Sequence, residues 1–395
     1  MALSNYKILK SVYSDLNEFK DRYRNHNGYY PLDVEIRVSW RCNARCKMCG
    51  LHRYVVDKDN GEFVMGTDTI TRLVNELADM GCKSITFSGG EPTLVGNLSQ
   101  IIKKASEEYR MCTSINTNGY LLNEEKIREY IDAGIDSFTI SVLSPDEQIN
   151  NEIMGLKNGL STTVKAIDYI NQYSKYVHRD VKVYINNVIL RDNIDSLSGY
   201  VEFCREHKIT HLNLSPASIE TEWDEWTCGD EELRPTVEQV RNLKSVIQNV
   251  LQMKEYNIFV EDPFGESDEE ISKNLHVIFS NTPDECFIPY LHTVIQYNGD
   301  VIPCCYAPEE FIMGNILESF FKEIWDSEKY RTFRMNCTDI KWDMCKSCRQ
   351  YTKINDGIFK KMARTDNNAI PNENFSPISY KEIKYHNKSY KEKLL

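Results

Sequence analysis

No uninterrupted apolar run in this chain approaches the ~20 residues that cross a bilayer. The opening residues, Met1 to Lys7, lack the apolar core of a secretion signal. Neither a membrane span nor an exported chain is expected, and cytoplasmic is the default location. Positive charge is in deficit: 47 Lys and Arg stand against 59 Asp and Glu, a net charge of −12. Phosphate polymers and anionic membranes are held by clustered cations, so neither is an expected partner. Glycine (18) and proline (12) are too few in 395 residues for a collagen-like or low-complexity chain. There is no internal repeat. With 41% hydrophobic and 27% charged residues, the chain is long enough for two or three globular units.

Cysteine is the exception, with 13 in the chain. Such a count in a non-secreted chain points to metal rather than to a disulfide framework. Cys42, Cys46 and Cys49 form one group; Cys286, Cys304, Cys305, Cys337, Cys345 and Cys348 form another. Cys82, Cys112, Cys204 and Cys228 stand alone and are read as core or surface thiols without a role.

The alternation in Asp33–Ser39 predicts a strand that delivers the first cysteine group into the loop at its carboxyl end. Helical and strand-like segments then alternate to Leu214, with Thr67, Asn97 and Asn123 at expected helix starts. Repeated βα units imply a parallel sheet with helices outside, and six units imply an open, partial TIM-like (β/α)6 barrel. The expected division is an N-terminal extension at 1–32, the barrel at 33–215, a linker region with helices at 216–285, a small hairpin-and-helix domain at 286–351 and an arm at 352–395. Asn298-Gly299 marks the hairpin turn. The arm, with nine Lys and Arg against five Asp and Glu, shows no clear core face and is expected to pack on the acidic body. Trp223 and Trp226 in the linker region either line a sugar cleft or seal an interface.

Three thiols within eight residues can converge on one iron–sulfur cube and leave its fourth iron open. Zinc completed by His52 is the competing reading. The spacing resembles the CxxxCxxC signature of radical S-adenosylmethionine (SAM) enzymes. Ser88-Gly89-Gly90-Glu91-Pro92, after the second predicted strand, resembles the GGEP motif of the same family. The resemblance covers about residues 33–215. It implies a SAM-binding [4Fe–4S] cluster on Cys42, Cys46 and Cys49, with Met48, Gly89, Gly90, Glu91, Asn118 and Ser141 contacting SAM. Met48 stands where many members carry an aromatic residue. No basic residue for the SAM carboxylate is evident after the fourth strand; Lys157 and Arg191 are the candidates.

Cys286, Gly299, Cys304 and the Cys345–Cys348 pair resemble the front half of the SPASM pattern, whose later cysteines are missing here. That implies the shorter "twitch" form with one auxiliary [4Fe–4S] cluster on Cys286, Cys304, Cys345 and Cys348, with Cys337 as an alternative ligand. Zinc fits four thiols equally well. Cys305, which strand alternation would turn to the face opposite Cys304, is the candidate catalytic residue, as a base or a hydrogen-atom donor, against the reading of an inert thiol. The implied enzyme is a radical SAM oxidoreductase fed by flavodoxin or ferredoxin. The first expectation is dehydrogenation of a small polyhydroxylated or amino-sugar-like substrate. With only 41 residues before Cys42, no leader-binding domain is expected, which favours a small molecule. The alternatives are peptide modification, by crosslinking or epimerisation, and a zinc-stabilised interaction protein without activity.

Overall fold

The computed structural model describes residues 12–51, 64–209, 211–217, 231–252, 259–261, 267–275, 286–305, 307, 309–339, 355, 358 and 361–362. Strand β1 (Asp33–Ser39) sends Val34, Ile36 and Val38, all fully buried, to one face. Glu35, Arg37 and Ser39 point the other way, into the barrel. Helix α2 (Thr67–Asp79) covers the sheet with Ile70, Leu73, Val74 and Leu77, an i, i+3, i+4, i+7 stripe. Each such side chain stabilises the fold by about 1.5–3 kcal/mol. Gly66, not Thr67, is the residue that enters this helix. Asn123 does cap its helix, its side chain accepting from the Lys126 N–H at 2.9 Å.

The alternation continues through β2 (Ser84–Gly89), α3 (Leu98–Lys103, widened into a looser turn to Glu108), β3 (Cys112–Thr117), α4 (Glu124–Asp132) and β4 (Ser137–Ser141). Then come α5 (Glu147–Met154), α6 (Gly159–Tyr176), β5 (Lys182–Ile189), α7 (Tyr200–Glu206) and β6 (His211–Pro216). After α8 (Val237–Gln252), β7 (Phe259–Glu261) adds a seventh parallel strand beside β6. At three residues it is too short for its period to show in sequence, so this stretch read as linker. Helix α9 (Asp268–Leu275) follows.

The second cysteine group does not start a separate sheet. β8 (His292–Ile295) lies parallel to β1, and β9 (Asp300–Ile302) and β10 (Gly314–Asn315) extend outward antiparallel. One ten-stranded sheet thus runs in the order β10-β9-β8-β1-β2-β3-β4-β5-β6-β7. Helices α10 (Phe321–Trp325) and α11 (Glu328–Asp339) complete this end. The main core lies between the sheet and its helices. A second core joins both ends of the chain: Phe19, Tyr29 and Leu32 pack with Phe287, Ile288, Tyr290, Leu291 and Ile358. Helix α1 (Leu16–Arg24) contributes Phe19, 5.9 Å from the Phe287 ring, and Tyr23, 5.0 Å from Tyr290. No described helix is long and apolar enough to cross a membrane. Cys82, Cys112 and Cys204 are buried, in line with the core reading; Cys228, Trp223 and Trp226 lie outside the described residues.

Candidate cluster and cofactor site

The first cysteine loop leaves β1 at the carboxyl edge of the sheet and is laid along the end of α5. The Arg45 N–H donates to Met154 O and the Lys47 N–H to Ile153 O, both at 2.9 Å. Cys42, Cys46 and Cys49 are half-buried. The Cys49 N–H closes on Cys46 O at 3.0 Å, and the Ala44 N–H points at Cys42 Sγ at 3.4 Å. Burial pushes the Cys42 thiol up to about 11 and Cys46 higher still, and negative charge on Cys49 would push both in the same direction. Cys42 and Cys46 are therefore neutral thiols unless a cation compensates them, which is what iron does. No group of three His, Cys, Asp or Glu side chains among the described residues is set to hold a single metal ion. Thiolates on one tetrahedral zinc must close to about 3.8 Å of each other, from a Zn–S bond of about 2.3 Å. Thiolates on a cube each take a different iron and stand further apart. His52, the fourth zinc ligand of the competing reading, lies outside the described residues.

The glycines of the next loop are there because backbone passes against backbone. Gly89 has φ +121, and a Cβ on it would lie 2.3 Å from Ser39 O. A Cβ on Gly90 would lie 2.2 Å from Arg41 O. Their absence lets the Gly90 N–H reach Ser39 O at 2.6 Å and the Glu91 N–H reach Arg41 O at 2.8 Å. The two loops thereby lock together edge to edge.

Glu91 is fully buried. Its Oε1 accepts from the Thr93 N–H and hydroxyl and, at 2.6 Å, from the Thr117 hydroxyl; its Oε2 accepts from the Asn118 N–H at 2.9 Å. Burial raises the carboxyl above the ordinary range, and these donors oppose the rise. Glu91 therefore fixes the end of β3 rather than facing the cleft. Asn118 then serves Cys42. Its Oδ1 accepts from the Tyr120 N–H at 3.0 Å, which turns Nδ2 toward Asn43 Oδ1 at 2.8 Å and Cys42 Sγ at 3.9 Å. That leaves Asn43 Nδ2 buried with no acceptor among the described residues, a donor aimed into the cluster loop. Sequence reading missed Asn43, whose only signal was adjacency to Cys42.

Met48 packs on an apolar cluster of Ala44, Leu143, Ile153, Met154, Leu156 and Leu190, as expected for a residue working by contact. Ser141 is half-buried at the end of β4, opposite Asn186 of β5. Arg191, exposed just after β5, donates from Nε to Arg234 O at 2.9 Å. The Lys157 side chain is exposed, and its carbonyl accepts from the Tyr120 hydroxyl.

In the second group, Cys286 and Cys304 are half-buried against both the main core and the core that joins the chain ends. Cys305 departs from its expected position. Strand alternation would turn it away from Cys304, but β9 ends at Ile302, and Cys305 packs against that second core along with Cys286 and Cys304. Cys337 is buried in α11. Cys345 and Cys348 lie outside the described residues. Trp40, which leads into the first cysteine loop, meets Tyr297 of the hairpin at a tilt, ring centres 5.2 Å apart. Asn355, unmarked in the sequence, donates to Cys286 Sγ at 3.7 Å.

A family model of the radical SAM superfamily matches residues 36–204, and one of the SPASM iron–sulfur cluster-binding domain matches residues 286–349. The chain carries a radical SAM domain followed by a SPASM domain. Over 182 residues it is 30% identical to the probable GTP 3′,8-cyclase of Sulfolobus acidocaldarius, covering 46% of this chain and 55% of that protein. Thus it spans about half the length of that relative. Over 337 residues it is 24% identical to the PqqA peptide cyclase of Bradyrhizobium diazoefficiens, covering 83% of this chain and 80% of that one. Streptococcus suis SuiB, in a crystal structure with S-adenosylmethionine, aligns with a TM-score of 0.61 at 19% identity over 86% of this chain and 77% of its own. SuiB bound to its precursor peptide SuiA aligns with the same TM-score at 21% identity, covering 85% of this chain and 75% of that one. These two likenesses concern the fold. The architecture is that of a radical SAM enzyme whose cofactors are SAM, its [4Fe–4S] cluster and auxiliary iron–sulfur in the SPASM domain. The residues present fit those groups: thiols at Cys42 and Cys46 that need a cation to ionise, and an orphaned amide donor on Asn43 beside Cys42.

Proposed function

We propose that this radical SAM enzyme modifies a peptide, forming a crosslink or another new bond at an unactivated carbon. A relative that aligns over 83% of the chain is a peptide cyclase, and this carries the reading over the small polyhydroxylated substrate first expected. When bound, the cofactors supply a 5′-deoxyadenosyl radical at the first cluster and a one-electron acceptor at the second.

The chain's own part is to hold and shield the substrate. Along β2 to β6 half-exposed polar residues alternate with buried apolar ones, and Thr86, Ser114, Thr139, Ser141, Asn186 and Asn213 face the barrel interior. The Thr86 and Ser114 hydroxyls pair at 2.9 Å, and Asn213 donates to Asn186 Oδ1 at 2.8 Å. These neutral donors and acceptors suit amide groups. A nucleoside triphosphate needs unpaired cations, and Arg37, the interior arginine of β1, is bonded to Glu35 at 3.0 Å. We further propose Cys42, Cys46 and Cys49 as ligands of the first cluster, and Cys286, Cys304, Cys345 and Cys348 of the second. The domain boundaries are proposed to follow the two cysteine groups, with β7 assigned to the barrel. A flavodoxin or ferredoxin is the proposed electron donor, and the cytoplasm the proposed location. Cys305 is retained as a proposed base or hydrogen-atom donor from the hairpin side.

The test is anaerobic turnover of reconstituted protein with SAM, dithionite and any short peptide encoded beside its gene. The expected result is 5′-deoxyadenosine together with a peptide lighter by two hydrogens. Deoxyadenosine with an unchanged peptide, and oxidation of an aminocyclitol added in its place, would reverse the choice of substrate class.

A further inference from the structure

Asn355 comes from beyond the last cysteine of the chain, yet it is only 4% exposed and lies against the first cysteine of the SPASM region. Its Oδ1 accepts from the backbone N–H of Phe287 at 2.9 Å. An N–H can be met only by the oxygen of the amide, so this bond fixes which way the amide faces. Nδ2 is thereby turned to Cys286 Sγ, 3.7 Å away. The placement does not depend on that amide alone. Ile358 is fully buried in the core of Phe19, Tyr29, Phe287 and Tyr290, and Met362 packs on the same core. The Lys361 ammonium lies 5.4 Å from the centre of the Tyr13 ring.

We propose that Asn355 is the N–H···S donor that sets the reduction potential of the SPASM cluster through Cys286. This rests on the reading of Cys286 as a cluster ligand. A hydrogen bond to a ligating sulfur draws off negative charge and favours the reduced cluster, which carries one charge more. The burial of Asn355 strengthens the effect, because a buried donor is screened less by water. Cys42 receives its donors from its own loop and from β3, whereas Cys286 receives this one across 69 residues of sequence. Asn355, seated with Ile358 and Met362, therefore acts as a positioning residue for the auxiliary cluster. Its position beside Phe287 joins the potential to the packing of both chain ends.

The test is an EPR-monitored redox titration of the reconstituted full-length protein. The signal that SAM perturbs is assigned to the N-terminal cluster and the other to the SPASM cluster. Asn355→Asp keeps an oxygen for the Phe287 N–H and removes the donor to sulfur; Asn355→Leu removes both at similar volume. Each is expected to lower the SPASM midpoint, Asn355→Asp by at least a tenfold change in the oxidised-to-reduced ratio, about 59 mV for one electron. The SAM-responsive signal is expected to keep its midpoint. Unchanged midpoints in both variants, or a shift confined to the SAM-responsive signal, would overturn the assignment. Wild-type protein with a single cluster would instead remove the ligand reading beneath it. Should neither variant load iron, wild-type protein carrying 15N-asparagine answers the same question by pulsed EPR. A 15N coupling on the SAM-insensitive signal supports the donor, and its absence overturns it.

Discussion

Replacing Glu91 by glutamine isolates what the carboxylate does, because size and shape hardly change. All four partners of Glu91 are donors: the Thr93 N–H and hydroxyl, the Thr117 hydroxyl and the Asn118 N–H. Hydroxyls can rotate and accept, but the two backbone N–H groups cannot. Either flip of a glutamine amide therefore turns its NH2 group toward a backbone N–H. One charge-assisted hydrogen bond is lost, worth about 1.5–3 kcal/mol, and a buried donor is left unmet at about 1–3 kcal/mol. The expected cost is about 3–5 kcal/mol, large against the 5–15 kcal/mol that typically holds a domain. The loss should also reach the cluster loop, since the Asn118 backbone held by Glu91 carries the amide that meets Asn43 and Cys42. Chemical denaturation of the apo-protein reads the stability, and equilibrium dialysis with the reconstituted protein reads SAM affinity. A Glu91→Gln variant within about 1 kcal/mol of wild type would refute an acceptor-only site, because that penalty is unavoidable if four donors converge there.

Gly90→Ala should cost at least about 3 kcal/mol and abolish SAM binding, since its Cβ would sit 2.2 Å from Arg41 O and backbone cannot rotate aside. Retained SAM affinity in a calorimetric titration would contradict the edge-to-edge locking of the two loops. Burial pushes the Glu35 carboxyl up, but Arg37, the Ser88 hydroxyl and His292 bring it below the ordinary value of 4.5. A depressed carboxyl contributes stability that is present above that value and lost as pH falls through the folded-state pKa. Glu35→Gln should therefore lower the melting temperature at pH 7 and make progressively less difference as pH falls below 4.5. A gap that grows on acidification would reverse the sign. Cys46→Ala should reduce iron from about eight to about four per chain and leave the SPASM signal in place, as expected for two separate [4Fe–4S] clusters. Loss of all iron would mean that the two sites do not assemble independently.

Local chemistry was enough to read the barrel and the cysteine loop. β1 carries its period-2 pattern in seven residues, α2 carries its apolar stripe, and three cysteines within eight residues need only one loop to meet. Glu91 was legible as a motif member but not as the buried acceptor of four donors. Two of those donors come from β3, and only strand pairing brings them there. Cys305 was assigned a face by strand alternation, which fails because β9 stops three residues earlier, at Ile302.

The amino-acid order alone determined the family, the open parallel barrel and the thiols available for iron, because each depends on contacts between residues near one another in the chain. Tertiary structure decided what long separations hide. β8 joins the barrel sheet beside β1, and both ends of the chain meet in one core around Cys286. The amide of Asn355 finds a sulfur 69 residues away. Nothing in the composition of an asparagine-rich tail marks one amide among six. Only the pairing with the Phe287 N–H and the burial of Ile358 select it, and both exist only once the chain has folded.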